Sequence, residues 1–266
     1  MLTNSAESEY LARIHDALNA AQDAVKRFAP GTFTVRDTGG RDVITQVDRE
    51  VSDVLRDRLL RPNEGWLSEE DVDDRSRLSN QIVWVVDPLD GTREFVDGIP
   101  EWCISVGLVV GGAAVAGGVC NPATNELFLG GLNSGVTHNG RRTQPSQRTD
   151  LEGAVVLASR QEYKRGEWAQ FEGKQFSIRQ TGSVAYKLAL VSAGLADATW
   201  TLSPKHEWDV AAGVALVTSA GGTVACIRDG RLQFNQTDTL LPGLVASSSG
   251  IWESVIRIVD EALEKV

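Results

Sequence analysis

Carboxylate side chains recur at places in the sequence where a strand or helix is predicted to begin or end. They form four clusters: Asp48, Glu69-Glu70, Asp87 with Asp90, and Asp209. Hard divalent cations such as Mg²⁺ prefer oxygen ligands of this kind and retain several waters. Two such ions about 3.5–4 Å apart activate a water and stabilise a leaving oxygen. The clusters therefore predict a divalent-metal site, with Asp87 and Asp90 as candidates for a ligand that bridges two ions.

The segment 87–92 (Asp-Pro-Leu-Asp-Gly-Thr) adds a place for an anion to this metal chemistry. The preceding run, residues 82–86, is apolar and rich in β-branched residues, which predicts a buried strand that ends at Asp87. Pro88 prevents a helix from continuing there. If Thr92 begins a helix, the free backbone N–H groups of Gly91 and Thr92 point towards an anion such as phosphate. Metal ligands and a phosphate cradle would then lie within one turn of each other.

Each cluster also has an explanation that requires no chemistry. The acidic residues 69–74 are typical of a solvated loop, and Asp209 is well placed to cap a helix. Asp48 alone fits the surface of its helix, and the Pro, Asp and Gly of segment 87–92 are all turn formers. The occurrence of all four clusters in one chain favours the metal site over these alternatives.

Hydrophobic periodicity predicts a mixed α and β chain. Two amphipathic helices are predicted first, the earlier one ending near Pro30-Gly31, with a loop or hairpin over 34–45 between them. A β-rich middle follows, with a hairpin turn at Gly111-Gly112. Strands then alternate with helices to the end of the chain. The polar stretch 141–150, which contains Pro145, predicts a boundary between an N-terminal lobe (1–145) and a C-terminal lobe (146–266).

Composition excludes some partners and favours one compartment. The 266 residues carry 26 basic and 36 acidic side chains, a formal net charge of −10, which argues against binding a nucleic-acid polymer. No stretch has the uninterrupted apolar length of a membrane span, and the first residues lack a signal-peptide pattern. The three cysteines lack zinc-site spacing and fit a reducing compartment. We expect a cytoplasmic protein that does not bind membranes.

Taken in order, the acidic clusters resemble the signature of the lithium-sensitive, magnesium-dependent phosphatases. The resemblance rests on Asp48, Glu69-Glu70, the segment 87–92 and Trp208-Asp209, and it runs from about the first helix to the last. This inositol monophosphatase superfamily also includes fructose-1,6-bisphosphatase and the 3′(2′),5′-bisphosphate nucleotidases. The resemblance implies a layered αβαβα sandwich, a homodimer, and hydrolysis of a phosphomonoester by metal-activated water.

The resemblance implies two metal positions. The ligands of the first Mg²⁺ would be Glu69, Asp87 and the Leu89 carbonyl. The ligands of the second would be Asp87, Asp90 and Asp209. Glu70 would lie in the outer shell or help to hold a third ion.

The remaining implied roles concern water and phosphate. Thr92, oriented by Asp48, would join Glu69 in positioning and deprotonating the attacking water. The phosphate would rest on the backbone amides of Gly91 and Thr92. Attack would be in line, without a covalent phosphoenzyme.

Details near these motifs resemble the bisphosphate nucleotidase branch. Arg93-Glu94-Phe95 is similar to the Lys-Glu-Phe of that branch, and the implied reaction converts 3′-phosphoadenosine 5′-phosphate to AMP and phosphate. In that branch an Arg commonly precedes the Glu-Trp-Asp block, whereas residues 199–206 here contain only Lys205 as a cation. Candidates for contacting the second phosphate are therefore Arg93, Arg160, Lys187 and Lys205, each of which is otherwise a surface cation.

Other interpretations remain open. Ser183 is a candidate substrate contact or a helix cap. The substrate alternative is an inositol phosphate or another sugar phosphate. A third alternative is a non-catalytic metal- or nucleotide-binding module, although such a module would not need to retain Thr92 together with Asp48.

Overall fold

The computed structural model describes residues 2–28, 46–227 and 230–264. The loop or hairpin predicted over 34–45, the predicted helix end near Pro30-Gly31 and the last two residues lie outside this part of the chain. Within it, no helix combines the length and the apolar character that crossing a bilayer requires.

Two helices form the outer layer on one side of the molecule. Helix α1 spans Asn4–Val25 and begins after Thr3, whose side chain accepts a hydrogen bond from the Ala6 N–H. Helix α2 spans Gln46–Leu59. Their apolar stripes, which include Ile14 and Val51, are buried against each other and against the first sheet. Helix α1 ends at Val25, earlier than the helix end near Pro30-Gly31 that the sequence predicts.

The first sheet has seven strands in sequence order. They are β1 (Gly65–Ser68), β2 (Ile82–Asp90), β3 (Cys103–Val110), β4 (Ala113–Asn121), β5 (Glu126–Gly131), β6 (Gly135–His138) and β7 (Arg141–Thr143). The β1–β2 pair is parallel and the others are antiparallel. The predicted hairpin is confirmed, because Gly111 (φ 58°) and Gly112 (φ 83°) supply the left-handed turn between β3 and β4.

The second sheet and its flanking helices come from the rest of the chain. Its strands, in spatial order, are β12 (Thr223–Cys226), β14 (Leu244–Ser247), β10 (Ala198–Thr201), β8 (Val155–Ser159) and β9 (Ser177–Thr181). The remaining elements are α3 (Thr92–Val96), α4 (Arg160–Lys164), α5 (Val184–Ser192), α6 (Glu207–Ala220), α7 (Trp252–Leu263), the short strands β11 (Lys205–His206) and β13 (Leu240–Leu241), and 3-10 turns at Ser76–Ser79, Ala169–Phe171 and Ser249–Ile251.

Helices α5 and α6 lie between the two sheets and pack unusually closely. A Cβ on Gly117 of β4 would lie 2.7 Å from the Ala212 carbonyl oxygen, and one on Gly213 would overlap Leu188 of α5. Only glycine allows such close approach of two backbones. The small residues Ala211, Ala212 and Gly213 therefore allow α6 to approach the first sheet and α5 closely.

The layers run α1/α2, first sheet, α5/α6, second sheet, and α7 with α4. Three buried apolar clusters fill the four interfaces, and one of them packs α5 and α6 against both sheets. This arrangement confirms the predicted αβαβα sandwich. The division into lobes at residue 145 stays a prediction, because α6 contacts strands of both sheets.

Candidate active site

Strand β2 ends in a bulge that presents two acidic residues. The sequence predicts a strand that ends at Asp87, whereas β2 continues to Asp90 with a register shift between these residues. Asp87 lies opposite Ser105 and Asp90 opposite Cys103, so β2 contains one extra residue there. Such a bulge accommodates Pro88, which cannot donate a ladder hydrogen bond. The Leu89 N–H donates instead to Asp87 Oδ1 at 3.0 Å.

Gly91 makes the turn from β2 into α3. Its φ is 96°, and a Cβ at this position would lie 3.1 Å from Trp102 and from the Glu101 carbonyl oxygen. The Thr92 hydroxyl donates a 3.1 Å hydrogen bond to the Leu89 carbonyl, the carbonyl implied as a metal ligand. The N–H groups that begin α3 have no acceptor within the helix, which leaves them available to an anion.

Asp90 is held from the opposite half of the chain. Its Oδ2 accepts hydrogen bonds from the Ser183 hydroxyl and from the Ala185 N–H, both at 2.7 Å. The Ser183 hydroxyl also accepts the Tyr186 N–H at 2.9 Å, which makes Ser183 the N-cap of α5. The structure therefore shows the capping role that the sequence left open, and substrate contact by Ser183 stays a prediction.

Asp209 caps its helix and still belongs to the acidic cluster. It is the third residue of α6, and its Oδ2 accepts the His206 N–H at 2.8 Å. The His206 ring stacks on Trp208 with 4.3 Å between ring centroids. The charge of Asp209 also contributes to raising the pKa of Glu69. Capping and participation in the cluster are thus compatible.

Glu69 lies among several other carboxylates, and its own ionisation is strongly altered. Burial, followed by the charges of Asp209, Glu70, Asp90 and Asp48, raises the pKa of Glu69 to about 9. Glu69 directly follows β1, and its N–H donates to the Val86 carbonyl at 3.4 Å. The structure therefore brings these predicted site residues into one electrostatically coupled group.

Both carboxylates of segment 87–92 have raised pKa values, for partly different reasons. Burial and the neighbouring charges of Glu69, Asp90 and Asp209 raise the pKa of Asp87 well above its usual range. Burial also raises the pKa of Asp90, whereas the hydrogen bonds from Ser183 and Ala185 act in the opposite direction. Buried carboxylates with these pKa values indicate a need for a positive counter-charge.

The donor set fits a hard divalent cation. The available ligands are carboxylates and one carbonyl, which Mg²⁺ prefers to nitrogen or sulfur. Within residues 2–28, 46–227 and 230–264, no three Asp, Glu, His or Cys side chains meet closely enough to form a ready-made coordination shell. Because like charges repel at short range, these side chains are expected to converge only around a cation. The residues that fit are Glu69, Asp87, Leu89 (through its carbonyl), Asp90 and Asp209, with Glu70 beside them.

A cavity of about 200 Å³ opens next to this group. Its lining is polar and comes from both halves of the chain: Glu69, Asp90, Gly91, Thr92, Arg93, Glu94, Ser159, Gln161, Gly182, Ser183, Val184 and Lys187. A cavity of this size holds the phosphate-bearing part of a ligand rather than a whole nucleotide. A larger groove of about 770 Å³, between α1 and α2, contains none of the predicted ligands.

The four candidate cations have different surroundings. Arg160 is paired with Glu101 at 2.6 Å, and Lys205 with Glu162 at 3.2 Å. Arg93 is exposed at the cavity rim. Lys187 is buried and lines the cavity. Sequence patterns did not identify the acidic partners Glu101 and Glu162, which lie outside any motif.

Comparison with known proteins gives consistent relationships. A model of the inositol monophosphatase family matches residues 7–264. The fructose-1,6-bisphosphatase/inositol-1-monophosphatase of Thermotoga maritima is 31% identical over 241 residues, which are 86% of this chain and 87% of that protein. The inositol-1-monophosphatase of Rhizobium meliloti is 36% identical over 193 residues, which are 69% of this chain and 72% of that protein. The crystal structure of extragenic suppressor protein suhB from Bartonella henselae has a TM-score of 0.78 at 30% identity, covering 93% of this chain and 97% of that chain.

Proposed function

The chain belongs to the inositol monophosphatase family, and on that premise we propose that it hydrolyses 3′-phosphoadenosine 5′-phosphate to AMP and phosphate. Members of this family are metal-dependent hydrolases of phosphoric monoesters, typically with Mg²⁺. The proposal adds the substrate to this reaction class. It also adds the residues that carry the reaction.

In the proposal, Glu69, Asp87 and the Leu89 carbonyl would hold one Mg²⁺, and Asp87, Asp90 and Asp209 would hold a second. Bound Mg²⁺ supplies Lewis-acid stabilisation of charge on phosphoryl and leaving oxygens and promotes ionisation of water. Glu70 lies beside this pair and would serve a third ion.

The protein's own groups bind and orient the reactants. The N–H groups of Gly91 and Thr92 bind the phosphoryl oxygens at the start of α3. Glu69 would accept a proton from the attacking water as a general base. Thr92 positions that water, and Asp48, buried in the first turn of α2, orients Thr92.

One observation supports a substrate with a second anionic group: Lys187 is buried beside the cavity and has few partners for its ammonium group among the described residues. The residue is 3% exposed and lines the cavity beside Asp90. Its ammonium group donates one long hydrogen bond, 3.4 Å, to the Thr181 carbonyl. Among the described residues it has no ion-pair partner within 4.0 Å, unlike Lys205 and Arg160. An ammonium group carries three donors, and leaving them unmatched in a buried site is costly.

A second phosphate in the cavity would satisfy Lys187. A nucleotide with 3′- and 5′-phosphates provides such a group after the reacting phosphate has occupied the Gly91-Thr92 amides. An inositol monophosphate has a single phosphate and provides only hydroxyls for the same donors. The state of Lys187 therefore supports the bisphosphate.

A specific observation also favours a second candidate, an inositol or other sugar phosphate. The Rhizobium meliloti relative carries the name inositol-1-monophosphatase, and the Thermotoga maritima relative is named for both a bisphosphate and an inositol monophosphate. The non-catalytic alternative has less support, because the complete set of carboxylates is present.

The test is phosphate release with Mg²⁺ from 3′-phosphoadenosine 5′-phosphate, inositol 1-phosphate and fructose 1,6-bisphosphate. We expect the highest kcat/KM for the nucleotide. A clear preference for the inositol phosphate would reject the proposed substrate, and no release from any of the three would reject the proposed phosphatase activity.

A sharper comparison pairs the nucleotide with adenosine 3′-monophosphate, which lacks only the 5′-phosphate. Lys187→Met should lower kcat/KM for the bisphosphate by about tenfold or more, since a charge-assisted hydrogen bond contributes about 1.5–3 kcal/mol. Activity on adenosine 3′-monophosphate should change little. Lys164→Met, at an exposed residue of α4, is the matched control. Equal losses on both nucleotides would remove Lys187 from substrate selection.

We further propose a homodimer and inhibition by lithium and calcium, on the strength of the family resemblance. Light scattering after size-exclusion chromatography tests the dimer. Inhibition at millimolar lithium tests the metal site, and an insensitive enzyme would require a different arrangement of ions.

A further inference from the structure

A fully buried arginine links the acidic loop after β1 to a distant part of the chain. Arg77 is 0% exposed and lies in the 3-10 turn Ser76–Ser79. Its Nε donates to Asp73 Oδ1 at 3.1 Å, and its Nη2 donates to Asp73 Oδ2 at 2.7 Å. This bidentate pair fixes the guanidinium plane.

The other donors of Arg77 reach residues more than 150 positions along the chain. Nη1 donates to Asn235 Oδ1 at 2.8 Å, and Nη2 donates to the Gln236 carbonyl at 2.9 Å. Asn235 Nδ2 returns a 3.2 Å hydrogen bond to the Arg77 carbonyl. Arg77 and Asn235 therefore recognise each other through both side chain and backbone.

A buried carboxylate holds the opposite side of the same dipeptide. Glu207 is 0% exposed, and it accepts the Asn235 N–H at 2.7 Å and the Gln236 N–H at 2.9 Å, one with each oxygen. Asn235 has a left-handed backbone (φ 58°), which Asn tolerates better than most residues. The segment 235–236 is thus hydrogen-bonded to Arg77 on one side and to Glu207 on the other. Together these residues form a clamp.

The two ends of this clamp lie next to different members of the acidic cluster. Arg77 follows the loop that begins with Glu69 and Glu70, whereas Glu207 is the first residue of α6, two positions before Asp209. Glu69 and Asp209 come from separate elements that share no strand pairing, so their spacing depends on tertiary contacts of this kind.

We propose that Arg77, Asn235 and Glu207 are positioning residues that fix Asp209 relative to Glu69 and thereby set the affinity of the site for divalent cations. The proposal rests on the metal site of the proposed function. It assigns the three residues no contact with substrate. Groups that orient metal ligands typically change metal affinity by about 10–100-fold when they are altered.

The test measures Mg²⁺ binding directly, by isothermal titration calorimetry on protein stripped of metal. Glu207→Gln replaces one acceptor oxygen by a donor and should weaken Mg²⁺ binding by about tenfold or more. The rise in Tm produced by Mg²⁺ should shrink in parallel. At saturating Mg²⁺, kcat should recover much of the wild-type value while the half-saturating Mg²⁺ concentration stays raised.

Glu7→Gln is a matched control. Glu7 is 1% exposed, belongs to the first turn of α1, and accepts the Asn133 N–H from a loop of the first sheet, far from the acidic cluster. Both substitutions remove a buried acceptor. A purely structural role for Glu207 predicts that both variants lose thermal stability and keep wild-type Mg²⁺ affinity.

Asn235→Gly provides a milder variant in case Glu207→Gln does not fold. Glycine keeps the left-handed backbone and the N–H that donates to Glu207, while the two hydrogen bonds between the Asn235 side chain and Arg77 are lost. We expect weaker Mg²⁺ binding here too. Wild-type Mg²⁺ affinity in either folded variant, or an equal loss in Glu7→Gln, would overturn the proposal.

These outcomes are separable from failure of the proposed function. A wild-type protein that binds Mg²⁺ but releases no phosphate would reject the function while the clamp could still be measured. An active enzyme whose clamp variants bind Mg²⁺ normally would reject the clamp alone.

Discussion

The Ser183 hydroxyl donates a 2.7 Å hydrogen bond to Oδ2 of Asp90, and this contact joins the two halves of the chain at the acidic cluster. Asp90 ends β2 in the first sheet, whereas Ser183 precedes α5. The Ala185 N–H donates to the same oxygen at 2.7 Å. Because both hydrogen bonds use Oδ2, Oδ1 is the oxygen through which Asp90 would face a cation. The N-terminus of α5 therefore orients a predicted metal ligand.

Removing this hydroxyl should affect both helix stability and metal affinity. Ser183→Ala is expected to lower the free energy of unfolding by about 1 kcal/mol through loss of the cap. It should also raise the half-saturating Mg²⁺ concentration, because Asp90 loses an orienting donor. Thr3→Ala removes the cap of α1, far from the cluster, and should affect stability alone. A Ser183→Ala enzyme with wild-type Mg²⁺ dependence would show that the hydroxyl serves only the helix.

The buried Lys187 is expected to lower the stability of the folded protein, although it contributes to substrate selection in the proposed function. Burial lowers the pKa of Lys187, and the charges of Glu162 and Asp90 act in the opposite direction. Replacing a buried charge that has no ion-pair partner by an apolar side chain of similar length removes the desolvation cost of that charge. We expect Lys187→Met to raise Tm at pH 7 in the absence of substrate, measured by calorimetry.

The sign of the pH dependence follows from the lowered pKa. In the unfolded chain Lys187 keeps its proton up to about 10.4, whereas in the folded protein it loses the proton earlier. Between these two values the unfolded state binds more protons, so the wild-type protein gains stability as the pH rises. The advantage of Lys187→Met should therefore shrink as the pH approaches that of an ordinary lysine. A constant or growing advantage would contradict a lowered pKa for Lys187.

Gly91 should be required for packing as well as for its backbone conformation. Gly91→Ala and Gly98→Ala both place a side chain at positive φ, 96° and 70°, which costs about 1–2 kcal/mol. A Cβ at Gly98 meets nothing within 4 Å, whereas one at Gly91 meets Trp102 and Glu101 at 3.1 Å. Gly98→Ala should lose some stability and keep its activity. Gly91→Ala should lose phosphatase activity as well. Equal activity of the two variants would show that the close packing at Gly91 is not required for catalysis.

The sequence predicted those parts of the site that depend on local patterns. The apolar, β-branched run before Asp87 identifies a strand, and the Gly-Thr step after Asp90 identifies the turn into α3. The strand nevertheless continues past Pro88, because a bulge removes the conflict between proline and strand pairing. Bulges depend on the register of the partner strand, which the sequence of β2 alone does not contain.

The parts that the sequence missed depend on contacts between distant residues. Arg77 follows a polar, acidic stretch, where an arginine would be expected to be exposed. In the structure it is completely buried and donates hydrogen bonds to the distant residues Asn235 and Gln236. Lys187 likewise falls in a helix pattern that does not distinguish a buried lysine from a surface one. Short strands such as β1 and β9 have too few residues for a reliable period and are defined by their neighbours in the sheet.

The most direct test of the central claim, that these carboxylates form a metal site for phosphate ester hydrolysis, is Mg²⁺-dependent phosphate release by Asp90→Asn. Asp97→Asn makes the same change at an exposed residue just after α3. We predict that Asp90→Asn keeps the wild-type far-ultraviolet circular dichroism spectrum and loses Mg²⁺-dependent release from 3′-phosphoadenosine 5′-phosphate, while Asp97→Asn remains active. Full activity of Asp90→Asn would contradict the account.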